Sequence, residues 1–172
     1  MPFAPGMHVF PGGGVSHDDR AHEDPRLACA IRETLEEVDI ALESCHLFDR
    51  WVTPEVEDRR YDVSFYFAHT KDEGRLVTSE AVNLLWLDPA EALHRHRQGA
   101  LPMLRPTIHV LETIDSGGLE AATKSTPVPK LPRMTSDGEW QIVHAETHEV
   151  LESGVVGPAS AETDGSAMEL ER

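Results

Sequence analysis

The sequence predicts an α/β (α+β) domain, and three observations carry that prediction. Residues 26–38 put Leu27, Ala28, Ile31, Leu35 and Val38 at helical spacing behind Asp24 and Pro25. Residues 63–68 alternate and are rich in β-formers, and the apolar run 82–87, which holds Trp86, reads as another strand. Asp88 and Pro89 then open a second helix that ends at Gly99, and residues 106–114 make a third.

Taken in order, residues 7–10 suit a very short strand, and Pro11 to Gly14 a tight turn whose backbone a ligand can approach. A bare glycine run is equally ordinary as a linker. Residues 16–26 form a polar loop with Asp18, Asp19, Glu23 and Asp24. Asp24 is placed as N-cap and Pro25 as the first helical residue, since its missing N–H costs nothing there. Residues 41–50 lead into Trp51 to Pro54 and then an acidic segment carrying Arg59, Arg60 and Tyr61. In the third helix Ile108, Leu111 and Ile114 face inward. This first unit spans residues 1–114. Composition then shifts: 115–138 is a Pro/Gly-rich linker, 139–153 a β-hairpin turning at Glu146 and Thr147, and 154–172 an acidic, disordered tail.

Composition excludes several functions. With 31 acidic against 15 basic residues the net charge is −16, which repels nucleic-acid backbones and anionic lipid. No apolar run is long enough to span a membrane, and the first residues lack the basic and then apolar regions that would signal secretion. Cys29 and Cys45 read as reduced thiols with packing roles in a cytoplasmic protein. The ten histidines show no zinc-site spacing; His94 and His96 would diverge on a helix.

The chemistry concentrates in residues 32–40. Glu33 and Glu37 stand four apart, so on a helix their carboxylates stack on one face. Such a like-charge pair costs about 0.3 kcal/mol, which a cation between them offsets. Mg²⁺ is held by one or two carboxylates, with phosphate oxygens and water completing its shell. Glu-rich faces are also common on solvated helices, and Arg32 with Glu36 reads equally as an ordinary i,i+4 pair.

The glycine turn, the acidic loop and Arg32, Glu33, Glu36, Glu37 and Ile40 together resemble the Nudix box, the signature of the Nudix hydrolases. Thr34 stands at a position that is bulky and apolar in that pattern. Asp39 replaces its second glycine, and Asp24 occupies the upstream acidic position across a lengthened loop. Pro5 to Gly13 is similar to the entry to the box in the branch related to coenzyme A diphosphatases, including the peroxisomal subgroup. The similarity spans residues 5–114 and is strongest over 5–67.

The resemblance implies an α/β/α sandwich around a mixed sheet and a Mg²⁺- or Mn²⁺-dependent hydrolase that cleaves a diphosphate linked to a second group X. Coenzyme A or an acyl-coenzyme A is the first candidate substrate. Glu33, Glu36 and Glu37 are the implied metal ligands, with the Gly13 carbonyl as a further donor. Glu33 or Glu80 would take the proton, and Arg32 would orient the glutamates through Glu36. Arg59 and Arg60 suit phosphate contacts and Tyr61 a base; a surface pair balancing Glu55, Glu57 and Asp58 accounts for the arginines equally well, and a partly buried place at the entry to the strand accounts better for Tyr61. The expected partner is a phosphorylated small molecule, with a homodimer open. Two other classes remain: a catalytically weak binding or regulatory module, and an acidic scaffold whose Glu-rich helix is incidental.

The resemblance also implies strands ahead of the glycine turn. Only 11 residues precede Gly12, too few for them at about 3.3 Å per residue. The expectation is that the start of the protein is absent or wrongly assigned, or that the 139–151 hairpin or a second copy fills the gap.

Overall fold

The computed structural model describes residues 6–57, 59–78, 81–117, 120 and 126–155. Helix α1 is Pro25–Val38, followed by strands β1 (Cys45–Val52) and β2 (Asp62–Ala68) and helices α2 (Pro89–Arg97) and α3 (Arg105–Asp115). Strands β3 (Pro129–Met134), β4 (Trp140–His144) and β5 (Val150–Val155) complete the order. They form one mixed five-stranded sheet, β2-β1-β3-β4-β5, in which only β1 and β3 run parallel.

Helix α1 starts and stops as its sequence dictates. The Asp24 carboxylate accepts the N–H groups of Arg26 at 3.0 Å and Leu27 at 3.1 Å, satisfying two donors the helix itself cannot. At the other end Asp39 takes the left-handed conformation, φ 57°, and donates its N–H to the Leu35 carbonyl. Its apolar face is less covered than periodicity suggests: Val38 is buried, Leu27, Ala28 and Ile31 are half-buried, and Leu35 is 47 % exposed. Helices α2 and α3 enclose a separate core of Ala92, Leu93, Leu101, Met103 and Leu111, with Leu87 and Ile108 packed on it.

Several expectations are corrected. The short strand at 7–10 is a single bridge, His8 beside Met103. No strand forms over 82–87, where Val82 is 98 % exposed and Trp86 62 %. Strand β1 went unread because a bulge between Leu47 and Asp49 breaks its alternation, leaving Phe48 and Asp49 both buried. Residues 129–134, read as linker, are a strand inside the sheet. Two prolines argue against a central strand, but β1 pairs β3 only at Pro129 and Lys130, so its ladder ends before Pro132.

The hairpin at 139–153 does form, with β4 and β5 antiparallel and a turn in which His144 Nδ1 accepts the N–H groups of Glu146 and Thr147. It joins the sheet through β3. Residues 154 and 155 belong to β5 rather than to a tail; 156–172 lie outside the described residues. Both cysteines are free thiols, and no described helix is long and apolar enough to cross a membrane.

A charged cluster is buried where β1, β3, β5 and α3 meet. Asp49, 2 % exposed, accepts the Trp51 indole N–H at 2.8 Å, the Arg50 N–H at 2.8 Å and the Lys130 ammonium. His109 of α3 lies edge-on to Trp51, 3.8 Å from Asp49 and 3.9 Å from Glu152. Burial and then Lys130 push its pKa down, against the opposing pull of Asp49 and Glu152.

Candidate active site

The glycine turn closes on the acidic face of α1. Glu37 Oε2 accepts the Gly12 N–H at 3.1 Å. A Cβ on Gly13 would fall 2.2 Å from Glu33 Oε1, so the Glu33 carboxylate lies against backbone that only glycine leaves open. Glu33 and Glu37, one helical turn apart, therefore flank the same short loop.

Arg32 organises the rest. Its guanidinium grips Asp19 through Nε at 3.1 Å and Nη2 at 2.9 Å, reaches Glu33 at 3.0 Å and Glu36 at 2.9 Å, and donates to the Gly14 carbonyl at 3.3 Å. Asp19 is buried and also accepts the Ser16 N–H at 2.7 Å. Arg32 first, and then that N–H, hold its carboxyl well below the usual range; Asp19 in turn raises the pKa of Arg32. A permanently charged guanidinium thus fixes three carboxylates at once. The Cys29 thiol, its pKa pushed up by burial, donates to the Gly13 carbonyl at 3.5 Å.

This donor set fits a hard divalent cation. Glu33 and Glu37 offer two carboxylates beside a loop with no side chains, and substrate phosphates and water ordinarily supply the other positions. Among the described residues no three His, Cys, Asp or Glu side chains converge as a cation-binding group. Glu36 is turned to Arg32, with 58 % of its side chain exposed.

The NUDIX domain family model matches residues 2–106, more than half of the 172. The chain belongs to the NUDIX domain family. That is a family of pyrophosphohydrolases, and its members generally use divalent metals such as Mg²⁺ or Mn²⁺. No curated protein and no solved structure matches the chain significantly.

Within this Nudix domain the structure gathers Gly12, Gly13, Gly14, Arg32, Glu33, Glu36 and Glu37. Glu80 lies outside the described residues. Arg59, Arg60 and Tyr61 occupy the β1–β2 loop, where Arg60 Nε donates to the Thr53 carbonyl at 3.4 Å and the Tyr61 N–H to Thr53 Oγ1 at 2.8 Å. The loop runs into Asp62, which Arg26 of the first turn of α1 binds at 2.5 Å. Arg26 is seven residues before Glu33, about 10 Å along the helix. An open cleft of about 880 Å³, lined by Arg20, His22, Arg26, Leu27 and Ile31 among others, adjoins that same end of α1.

Asp19 was missed in the sequence. Its signal is the spacing Ser16 to Asp19, whose side chains and N–H groups bond reciprocally as in a capping box. Gly13→Ala tests the cradle. The atom met is the tip of a flexible glutamate, so the fold is expected to survive with stability changed by less than about 1 kcal/mol. Glu33 must swing away, and Mn²⁺ affinity is expected to fall at least about tenfold. Calorimetric titration beside a urea melt separates the two effects.

Proposed function

We propose that this Nudix domain is a Mg²⁺- or Mn²⁺-dependent hydrolase of a diphosphate linkage in a nucleoside diphosphate-X compound, with coenzyme A or an acyl-coenzyme A as the first candidate. The observation that carries the reading is the pair Glu33 and Glu37 seated on the Gly12–Gly13 turn. A bound divalent ion would neutralise charge building on the phosphate oxygens and acidify the attacking water.

The chain's own residues do the remainder. Glu33 and Glu37 would hold the ion, with the Gly13 carbonyl as a further donor beside them. Arg32 keeps Glu33 and Glu36 in place through its grip on buried Asp19. Glu33 accepts the water's proton, or Glu80 does; general-base transfer of this kind contributes typically about 10²–10⁴-fold. Arg59, Arg60 and Tyr61, in the loop that runs into Asp62, are proposed to meet the distal part of a long substrate. The likeness of Pro5 to Gly13 to the coenzyme A diphosphatase branch supports that choice of X, and the two free thiols suit a cytoplasmic setting.

A catalytically weak Nudix-fold binding or regulatory module is the second reading. The observation on its side is that Glu33 and Glu36 both bond to Arg32. A panel of coenzyme A, an acyl-coenzyme A and nucleoside diphosphate derivatives, each with Mn²⁺ and Mg²⁺, decides between them. Metal-dependent appearance of two phosphomonoester products is expected. Binding without turnover across the panel supports the second reading, and neither binding nor turnover rejects both.

A further inference from the structure

The last turn of α1 is strapped from outside by residues 74–77. The Arg75 N–H donates to the Val38 carbonyl at 2.8 Å and the Val77 N–H to the Glu37 carbonyl at 2.9 Å. Arg75 Nε also binds the Asp39 carboxylate at 2.7 Å. These are carbonyls that a helix end leaves without partners. Gly74 makes the approach feasible: its φ is +66°, and a Cβ there would stand 2.7 Å from the Val38 carbonyl oxygen and 2.8 Å from Ile40.

The strap meets α1 at Glu37. Glu37 is held at both ends, its carbonyl by Val77 and its carboxylate by the Gly12 N–H. Asp39 departs from the glycine of the Nudix box, and in its left-handed conformation it carries a carboxylate that glycine would lack. That carboxylate is what Arg75 grasps, 36 residues further along the chain. Val77 contributes through its backbone, since its side chain is largely exposed.

We propose that residues 74–77 are a positioning strap for Glu37: by binding the carbonyls of Glu37 and Val38 and the side chain of Asp39, they fix the register of the last turn of α1 and hold the Glu37 carboxylate on the glycine turn. The inference rests on the metal-binding reading above for its consequence, and on hydrogen bonds alone for its geometry. Gly74, Arg75 and Val77 act through Glu37 and do not touch the substrate.

Three variants test it. Val77→Pro deletes the N–H that reaches Glu37, Gly74→Ala forces the strap away, and Val77→Thr keeps the N–H and serves as the conservative control. Mn²⁺ affinity measured by calorimetry is expected to weaken about tenfold in the first two, the usual consequence of losing an outer-shell partner, and to stay at the wild-type value in Val77→Thr. In metal-free protein the Gly12 amide resonance reports its bond to Glu37, and it should move in Val77→Pro and Gly74→Ala but not in Val77→Thr. A lowered melting temperature with unchanged Mn²⁺ affinity and an unmoved Gly12 resonance would show the strap to be structural only, and the inference would fall. Should wild-type protein take up no Mn²⁺, the hydrolase reading fails while the Gly12 resonance still judges the strap.

Discussion

Glu37→Gln is expected to reduce metal-dependent diphosphate hydrolysis by about 10³-fold or more. The substitution keeps shape and leaves an oxygen to accept the Gly12 N–H, so it removes one negative charge and little else. Metal-assisted charge stabilisation is worth several kcal/mol, and about 1.4 kcal/mol is tenfold in rate. Stability should stay within about 0.5 kcal/mol, as for other substitutions outside the core. Glu36→Gln is the contrast: its carboxylate is turned to Arg32 and largely exposed, so a loss nearer tenfold is expected. Initial rates with Mn²⁺, beside urea melts of each variant, read both effects. A Glu37→Gln enzyme as fast as wild type would remove this carboxylate from the mechanism.

The largest expected stability effect lies elsewhere, at Asp49. Asp49→Ala would leave the Lys130 ammonium, 16 % exposed, without its carboxylate. Breaking a buried pair from one side costs about 3–5 kcal/mol, a large share of the about 5–15 kcal/mol that holds a domain together. Replacing both partners, Asp49→Ala with Lys130→Met, should recover much of the loss, because no charge is then stranded. Urea unfolding of the single and double variants measures this; a single variant within 1 kcal/mol of wild type would contradict the assignment of this cluster as a clasp between β1 and β3.

The same cluster gives stability a pH dependence. Burial and Lys130 lower the pKa of His109 in the folded state, below the unfolded value of about 6.5. Between those two values the unfolded chain binds more protons than the folded one, so stability rises with pH there. The contribution of neutral His109 is complete above about pH 6.5 and is lost as the pH falls toward the folded pKa. His109→Phe, which keeps a ring beside Trp51, should flatten the urea midpoint between pH 7.5 and 5 relative to wild type.

Where a local rule decides structure, this sequence is readable. Asp24 and Pro25 start α1, Asp88 and Pro89 start α2, and Asp39 stops α1 in the conformation expected of a glycine substitute. The turn at Glu146 and Thr147 is equally local. What was not legible depends on distant partners. A bulge hides the period of β1, and β3 is a strand through its pairing with β4 along 130–134 and with β1 at Pro129 and Lys130. The apolar run at 82–87 satisfies a strand pattern but has no neighbour to pair with among the described residues. At the site, the family pattern brought out Arg32 and the glutamates. It was silent on Asp19 and on Gly74 to Val77, which reach α1 from 13 and 36 or more residues away.

The central claim is that Glu33 and Glu37 on the glycine turn form a seat for a divalent cation. Isothermal calorimetry of Mn²⁺ into wild-type protein and into Glu33→Gln tests it most directly. Saturable uptake by wild type, weakened at least about tenfold in Glu33→Gln, is the predicted result; no uptake by wild type, or equal uptake by both, would contradict it.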